Sequence, residues 1–392
     1  MSRIPTMMEC FRQLIATPSV SCIDPRLDQG NRGVVELLAG WLADLGFSVE
    51  LMPVAEQPAK YNLIARRGIG RGGLVLAGHT DTVPYDEARW DQNPFALTEK
   101  DSRLYGLGTS DMKCFFPLVL EAIQNIDLGK LRAPLFILAT ADEESTMSGA
   151  RALVASGRKL GRHALIGEPT GLRPVHQHKG IIIEAIKLTG RAAHSSNPAL
   201  GISALEGMNA VINALTAWRS ELQQAYNNER FHVPVPTLNF GSIHGGDNPN
   251  RICAECVMNI DLRLLPGMAL PEFREGLYDV VQRAVDGAGL KVELHENFDG
   301  VPAMHTDKGA RIVRCAEELS GHSAGAVDFV TEGPCLNALG MQTVVLGPGN
   351  IEQAHQANEY LAMDRIRPMV EIITGMIGHF CIEENTHVNQ GN

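Results

Sequence analysis

The sequence predicts an α/β protein with a smaller βαββαβ unit inserted into it. Two observations carry the first part of that reading. Short apolar runs (Leu74-Val75-Leu76-Ala77, Leu135-Phe136-Ile137-Leu138-Ala139 and Ala164-Leu165-Ile166) alternate with helical patterns from residue 30 to about 180. Unbroken apolar runs of this length suit strands covered on both faces of a largely parallel sheet. The same texture returns at Thr343-Val344-Val345-Leu346, followed by an irregular loop and a last helix from roughly 363 to 381, so one sheet is built from both halves of the chain. A third observation sets residues 181–296 apart, because there the order changes to strand, helix, strand, strand, helix, strand.

Taken in order, the first 20 residues break their apolar positions with polar ones and lack a small-residue cleavage pattern, which predicts an amphipathic helix and not an export signal. A helical pattern over 112–126 follows the glycine-rich stretch Gly106 to Lys113. The inserted unit reads as a strand at about 181–189, a helix at 201–226, strands at 235–243 and 252–264, a helix at 271–287 and a strand at 290–295. That order is the ferredoxin-like split unit. It predicts one domain from residues 1–182 and 297–392, with a second, 183–296, inserted in it.

The 392 residues, 44% apolar and 20% charged, suffice for two domains with real cores. No apolar run approaches a membrane span. Eight cysteines scattered from Cys10 to Cys381 read as reduced thiols, and the cytoplasm is the default location. A net charge of -11 without a basic patch argues against nucleic acid as a partner.

The chemistry gathers just after the expected strands. His79 and Asp81 follow Ala77, Asp142-Glu143-Glu144 follow Ala139, and Glu168 follows Ile166. Open α/β sheets bind ligands at the carboxyl ends of their strands. Carboxylates crowded there repel each other unless cations neutralise them, which points to a metal site. A mixture of imidazole and carboxylate suits zinc, with cobalt or manganese as alternatives. In an extended His79-Thr80-Asp81, positions i and i+2 share a side, so Asp81 is placed to orient the imidazole. Glu143 and Glu144 point in different directions, leaving one to bind metal and the other to move protons. Asp111 is expected to open the helix after the glycine-rich turn, where the dipole favours a carboxylate able to bridge two ions. Singly, such residues are more often caps, turns or solvated loops; their convergence on one edge carries the reading.

Rival signals are weaker. Cys253 and Cys256 have metal-pair spacing, but i and i+3 on a strand face opposite ways. His176 and His178 share a strand face without a carboxylate cluster nearby in sequence and read as a surface or hinge feature. Gly68, Gly70 and Gly73 fit GxGxxG, yet no helix follows, so a hairpin turn is expected. Ser110 and Ser145 lack a nucleophile-elbow context.

The motifs GHTDTVP (78–84), LYGLGTSDMK (104–113), ATADEES (139–145), IGEPT (166–170), GRAAHSS (190–196) and GPGNIEQAHQANEYL (347–361) resemble the co-catalytic zinc amidohydrolase and peptidase family over nearly the whole chain. The resemblance implies a zinc-peptidase-like catalytic domain that hydrolyses linear amides with two zinc ions, cobalt being able to substitute. It implies His79 with Glu168 on one ion, His355 with Glu144 on the other, Asp111 bridging, Asp81 orienting and Glu143 as general base. Only resemblance picks out His355 from thirteen histidines. It also makes the inserted domain a lid and dimerisation domain of a homodimer, with His194 reaching a substrate carbonyl across the dimer. Asn250 and Arg263 then fall on the substrate side, and glutathione enters as a cofactor by family resemblance only. Cys114 departs from the family's usual glycine and places an oxidisable sulfur near the metals. A non-catalytic metal carrier needs no acid/base residue, so the presence of both Asp81 and Glu143 favours an enzyme. A glycosidase working with paired carboxylates needs no histidine ligand.

Overall fold

Four parallel strands form the centre of the main sheet: Leu135–Thr140, Leu74–His79, His163–Ile166 and Gln342–Val345, hydrogen-bonded in that spatial order. Their side chains are almost all buried, as strands covered by helices on both faces require. Two antiparallel strands, Gln57–Arg67 and Ser48–Val54, extend the sheet beyond Leu135–Thr140, and Val175 pairs antiparallel with Val345 at the other side. The architecture is a mixed α/β sheet assembled from both chain halves.

This computed structural model describes residues 4–54 and 57–383, with the side chains of 57–59 also left aside. The outermost parts of the expected first helix and of the 297–392 segment lie outside the described residues. The chain divides into two compact units. The first runs to His176 and adds Thr306–Gly325 and the chain from Thr331; the second is Gln177–His305 with Ala326–Val330.

In the first unit, Met7–Ile15 is capped by the Thr6 hydroxyl and buries Cys10, Phe11, Leu14 and Ile15. Cys10, Phe11 and Leu14 join the apolar faces of Arg32–Asp44, Phe115–Gln124, Arg311–Ser320 and Ile366–Ile377 in one core. A small sheet of Thr98–Lys100, Arg103–Tyr105 and Tyr360–Ala362, not expected from the sequence, ties the late chain to the glycine-rich turn.

In the second unit, strand Gly180–Thr189, helix Ala204–Ala225, strands Thr237–Gly245 and Glu255–Leu264, helix Leu270–Ala284 and strand Lys291–Val301 follow one another. The four strands form an antiparallel sheet with Gly180–Thr189 between Glu255–Leu264 and Lys291–Val301, and Thr237–Gly245 at one edge. Strict alternation of buried and half-exposed residues along Glu255–Leu264 turns one face toward a core built with both helices.

Three expectations change. Gly68, Gly70 and Gly73 do not make a hairpin turn, because Leu135–Thr140 lies between the strands they connect. The helix expected over 112–126 begins only at Phe115, so Asp111 precedes it in an irregular segment and not at a helix start. His176 and His178 are fully buried, and the division between the units falls between His176 and Gln177.

Candidate metal centre

The parallel strands deliver His79 from the end of its own strand, Glu143 and Glu144 from the turn after Thr140, and Glu168 two residues past Ile166. Asp111 comes from the glycine-rich segment and His355 from the loop after Gln342–Val345. That loop reaches the strand ends because glycine permits close backbone contact. A Cβ at Gly347 would stand 2.1 Å from the Gly167 carbonyl oxygen, and one at Gly349 would stand 2.4 Å from that of Ser110. Ser110 Oγ is 3.1 Å from the Asn350 carbonyl, to which it donates, and accepts from the Asn350 N–H at 3.0 Å.

His79 Nδ1 lies 3.0 Å from the Asp81 carbonyl oxygen, an acceptor, so Nδ1 carries the proton and Nε2 is left as the ligating atom. Nε2 faces Asp111 Oδ1 at 3.1 Å and Glu168 Oε1 at 3.7 Å. The orienting contact thus comes from the Asp81 main chain; its carboxylate Oδ1 stands 3.8 Å from Nδ1, and Oδ2 accepts the Glu144 N–H at 3.0 Å. On the other side, His355 Nε2 lies 3.0 Å from Glu144 Oε2 and 3.6 Å from Asp111 Oδ2. Asp111 therefore turns one oxygen toward each histidine. Ligand atoms of His79, Glu143 and Glu168 lie within 4.8 Å of one another, as do those of His79, Asp111 and Glu144. Glu143 thus faces the same space as the ligand candidates.

The electrostatics of the cluster favour positive charge within it. Burial pushes the Glu143 and Glu168 carboxyls well above their usual range, and neighbouring carboxylates add to the shift. Burial alone would lower the pKa of His79, but the charge on Glu168 and the hydrogen bond to Asp111 outweigh it and raise it well above normal. The hydrogen bond that His355 donates to the Glu144 carboxylate holds the histidine up at about 9. The site thus draws positive charge to the two points where the imidazoles face Asp111. This donor set, two imidazole nitrogens and several carboxylates on buried elements, fits a pair of divalent ions.

Several neighbours carry no signal in local sequence. Glu359, buried just before Tyr360–Ala362, accepts N–H bonds from Gly108 at 3.0 Å, Ser110 at 2.6 Å and Asp111 at 3.0 Å. Burial pushes its carboxyl up to about 8, against the pull of those three donors. Glu332 is buried with Oε2 accepting from Thr140 Oγ1 at 2.7 Å, and burial raises its pKa to about 7. Asp142 has a different role from its neighbours: burial opposes its ionisation, yet Lys60, Ser21, Thr146 and Ser148 hold it at about 2. Cys114 is fully buried and burial pushes its thiol far up, so the oxidisable sulfur expected near the site is shielded and inert.

The remaining candidates lie in the second unit. His194 is exposed, with Nδ1 2.7 Å from Ser196 Oγ, and Asn250 sits beside it through its carbonyl, which accepts the Ser195 N–H at 3.0 Å. Arg263 makes a two-point pair with Asp261, at 2.8 and 3.0 Å. Among the described residues, neither potential metal-holding group includes a cysteine.

An α/β sheet that brings two histidines and several buried carboxylates to the carboxyl ends of its parallel strands defines a metal-binding hydrolase. The family model described as peptidase family M20/M25/M40 matches residues 75–379, and the chain belongs to that family. Similar relatives include an acetylornithine deacetylase of Edwardsiella ictaluri (strain 93-146), 47% identical over 380 residues, covering 97% of this chain and 99% of that protein. Another, from Yersinia pestis, is 46% identical over 384 residues, covering 97% of this chain and 98% of the relative. Among solved structures, a tripeptidase from Staphylococcus aureus subsp. aureus Mu50 superposes with a TM-score of 0.74 at 21% identity, over 95% of this chain and 96% of that one. A dinuclear metal binding peptidase of Bacillus subtilis from the M20 family gives 0.64 at 14% identity, over 95% and 96%.

Proposed function

We propose that the chain is a two-zinc amide hydrolase that converts N2-acetyl-L-ornithine to L-ornithine and acetate, a step of arginine biosynthesis. The observation that carries the chemistry is Asp111, whose two carboxylate oxygens face His79 and His355 separately. The substrate rests on the 47% identity over 97% of the chain with a relative named acetylornithine deacetylase. The strings HTDTVPYD, LTEKDSRLYGLGT, HGGDNPNRICAEC and LRLLPGM also look most like that type.

In this reading His79 with Glu168 and His355 with Glu144 would each hold one ion, Asp111 would bridge, and cobalt could replace zinc. When bound, the ions would supply Lewis-acid polarisation of the scissile carbonyl and a water acidic enough to be deprotonated near neutral pH. Glu143, with its raised proton affinity, takes the proton of the attacking water and returns it to the leaving amine. Asp81 keeps the His79 ring in the tautomer that presents Nε2. The second unit serves as a ferredoxin-like lid and dimerisation domain, inserted as residues 183–296 of a cytoplasmic homodimer. His194 stabilises the oxyanion from the second subunit, and Asn250 and Arg263 hold the substrate. For Arg263 this requires exchanging its Asp261 partner for the substrate carboxylate. No described helix is long and apolar enough to cross a membrane.

The test is protein stripped of metal and reconstituted with counted zinc equivalents, assayed in parallel on N2-acetyl-L-ornithine, N-succinyl-diaminopimelate and a dipeptide. Activity should rise to two equivalents per chain, with the highest kcat/KM for N2-acetyl-L-ornithine. Preference for either other substrate would move the assignment within the family, and activity surviving complete chelation would end the two-metal reading.

A further inference from the structure

A second cavity lies in the first unit at the opposite edge of the sheet from the metal cluster. It has a volume of about 650 Å³ and is bounded by the segments that enter three parallel strands at Leu74, His163 and Gln342, and by the start of helix Arg311–Ser320. Ligand binding in an open α/β sheet uses the carboxyl ends of the strands, so the proposed hydrolysis leaves this amino-end cavity without a task.

Its charge is out of keeping with the rest of the chain. The sequence carries 45 acidic and 34 basic residues, yet the cavity is lined by Arg71, Lys159, Arg162 and Arg311 and by no aspartate or glutamate. Arg71, Lys159 and Arg162 are exposed at its rim, with no carboxylate at ion-pair distance among the described residues. Arg311 is held lower: its guanidinium lies 5.0 Å from the Phe380 ring centre and donates to the His379 carbonyl at 2.7 Å. The three exposed cations Arg71, Lys159 and Arg162 repel one another, a cost that a bound anion removes.

The helix end adds a second, independent attraction. Arg311–Ser320 starts in the cavity wall with Ala310 as its N-cap, so no side chain caps it, and its first turn holds no acidic residue. Its dipole favours negative charge at this point, beside the Asp307 carboxylate that accepts the Gly309 N–H at 2.6 Å. Gly72, Gly73, Gly161, Gly309 and Gly340 keep side chains out of the wall, and Phe380 with Leu160 supplies an apolar floor.

We propose that this cavity binds a small oxyanion of at least two charges, of the phosphate type, free or as the phosphoryl group of a small metabolite. The arginines supply paired donors matched to tetrahedral oxyanions, Lys159 adds a mobile charge, and the helix start receives one oxygen.

Calorimetric titration of the zinc-loaded full chain with inorganic phosphate, and separately with sulfate, tests this at constant ionic strength. Sulfate matches the charge and shape but is a poor zinc ligand, which separates the cavity from the metal centre. Saturable binding of one phosphate and one sulfate per chain is expected, weakened at least about tenfold in Arg71→Ala/Arg162→Ala. Both positions are exposed, so the variant should keep its melting temperature and its amide hydrolysis. Absence of saturable sulfate binding, or sulfate binding by the variant as tight as the parent's, would overturn the proposal. Phosphate binding that persists in the variant belongs to the metal centre.

Discussion

Glu359 offers the sharpest test of how the metal cluster is held. Its carboxylate replaces a main-chain partner for three successive parts of the glycine-rich segment, and one of the three N–H groups belongs to Asp111 itself. Oε1 accepts from both Ser110 and Asp111, whereas Oε2 accepts only from Gly108. In Glu359→Gln, an amide oxygen at the Oε1 position keeps two bonds, and the amide NH2 then faces the Gly108 N–H. One buried bond is lost and one donor is stranded, a cost of about 2 kcal/mol. Glu359→Ala strands all three donors and adds a cavity, for roughly 4–6 kcal/mol. At about 2–4 °C per kcal/mol for a unit of this size, the glutamine variant should melt several degrees lower and the alanine variant far lower. In the alanine variant the Asp111 N–H is one of the released groups, so there the ions should also be lost to a competing chelator more readily. Calorimetric melting and metal analysis after dialysis against that chelator measure both effects. A glutamine variant that melted within about 1 °C of the parent, or an alanine variant that kept its metals equally well, would refute the reasoning.

Other residues give independent outcomes. Glu143→Gln should lower kcat by about 10²–10⁴ while both metals stay bound, since general acid–base assistance has that magnitude; near-normal turnover would remove Glu143 from the proton-transfer role. His355→Ala should retain one tightly bound ion per chain and lose the other, because His79, Asp111 and Glu168 remain; two ions held as tightly as in the parent would contradict this partition. His163 is buried against Phe380, with ring centres 4.3 Å apart, and burial lowers its pKa to about 4. A lowered histidine pKa means the unfolded state takes up its proton first as the pH falls. Its contribution is therefore intact above about 6.5 and disappears between there and about 4, amounting to up to about 3 kcal/mol. His163→Phe should flatten that part of the stability profile; parallel parent and variant curves across this window would show that His163 is not the acid-sensitive group.

The parts legible in the sequence were those governed by local periodicity. The apolar runs at Leu74, Leu135, Ala164 and Thr343 became the four parallel strands, and the strand-end rule then pointed to His79, Glu143, Glu144 and Glu168. In the second unit the alternation along Glu255–Leu264 marked a half-buried strand, and its two helices lie within a few residues of the expected spans. What stayed hidden depends on contacts distant in sequence. Glu359 grips a segment some 250 positions earlier, and nothing in its own neighbourhood marks it as buried. The three-stranded sheet that sets its height is too short to have a periodicity. His355 has no strand or helix to place it, so only family resemblance selected it. The helix start was misplaced by three residues because Met112, Lys113 and Cys114 are buried like helical core residues while the backbone there is still irregular.

Asp142, Glu143 and Glu144 show why composition alone cannot assign roles in this cluster. Three adjacent carboxylates leave one strand end, yet the partners around each one differ. Asp142 is enclosed by an ammonium and four hydroxyl groups, which stabilise its charge so strongly that the pair with Lys60 fixes the turn. Glu144 points to an imidazole, and its main-chain N–H is held by Asp81, so its position is determined from both sides. Glu143 is half-buried among like charges and accordingly holds a proton most readily of the three. A fixed turn, a fixed ligand candidate and a group of high proton affinity thus follow from three consecutive residues. Adjacent side chains leaving an irregular turn diverge, and each meets a different dielectric and a different partner. If this division is right, exchanging the two glutamates' roles is not open to the protein: Glu143→Gln should spare metal content and Glu144→Gln should not. Metal counting on the two variants tests that directly, and equal losses in both would show that the turn does not separate them.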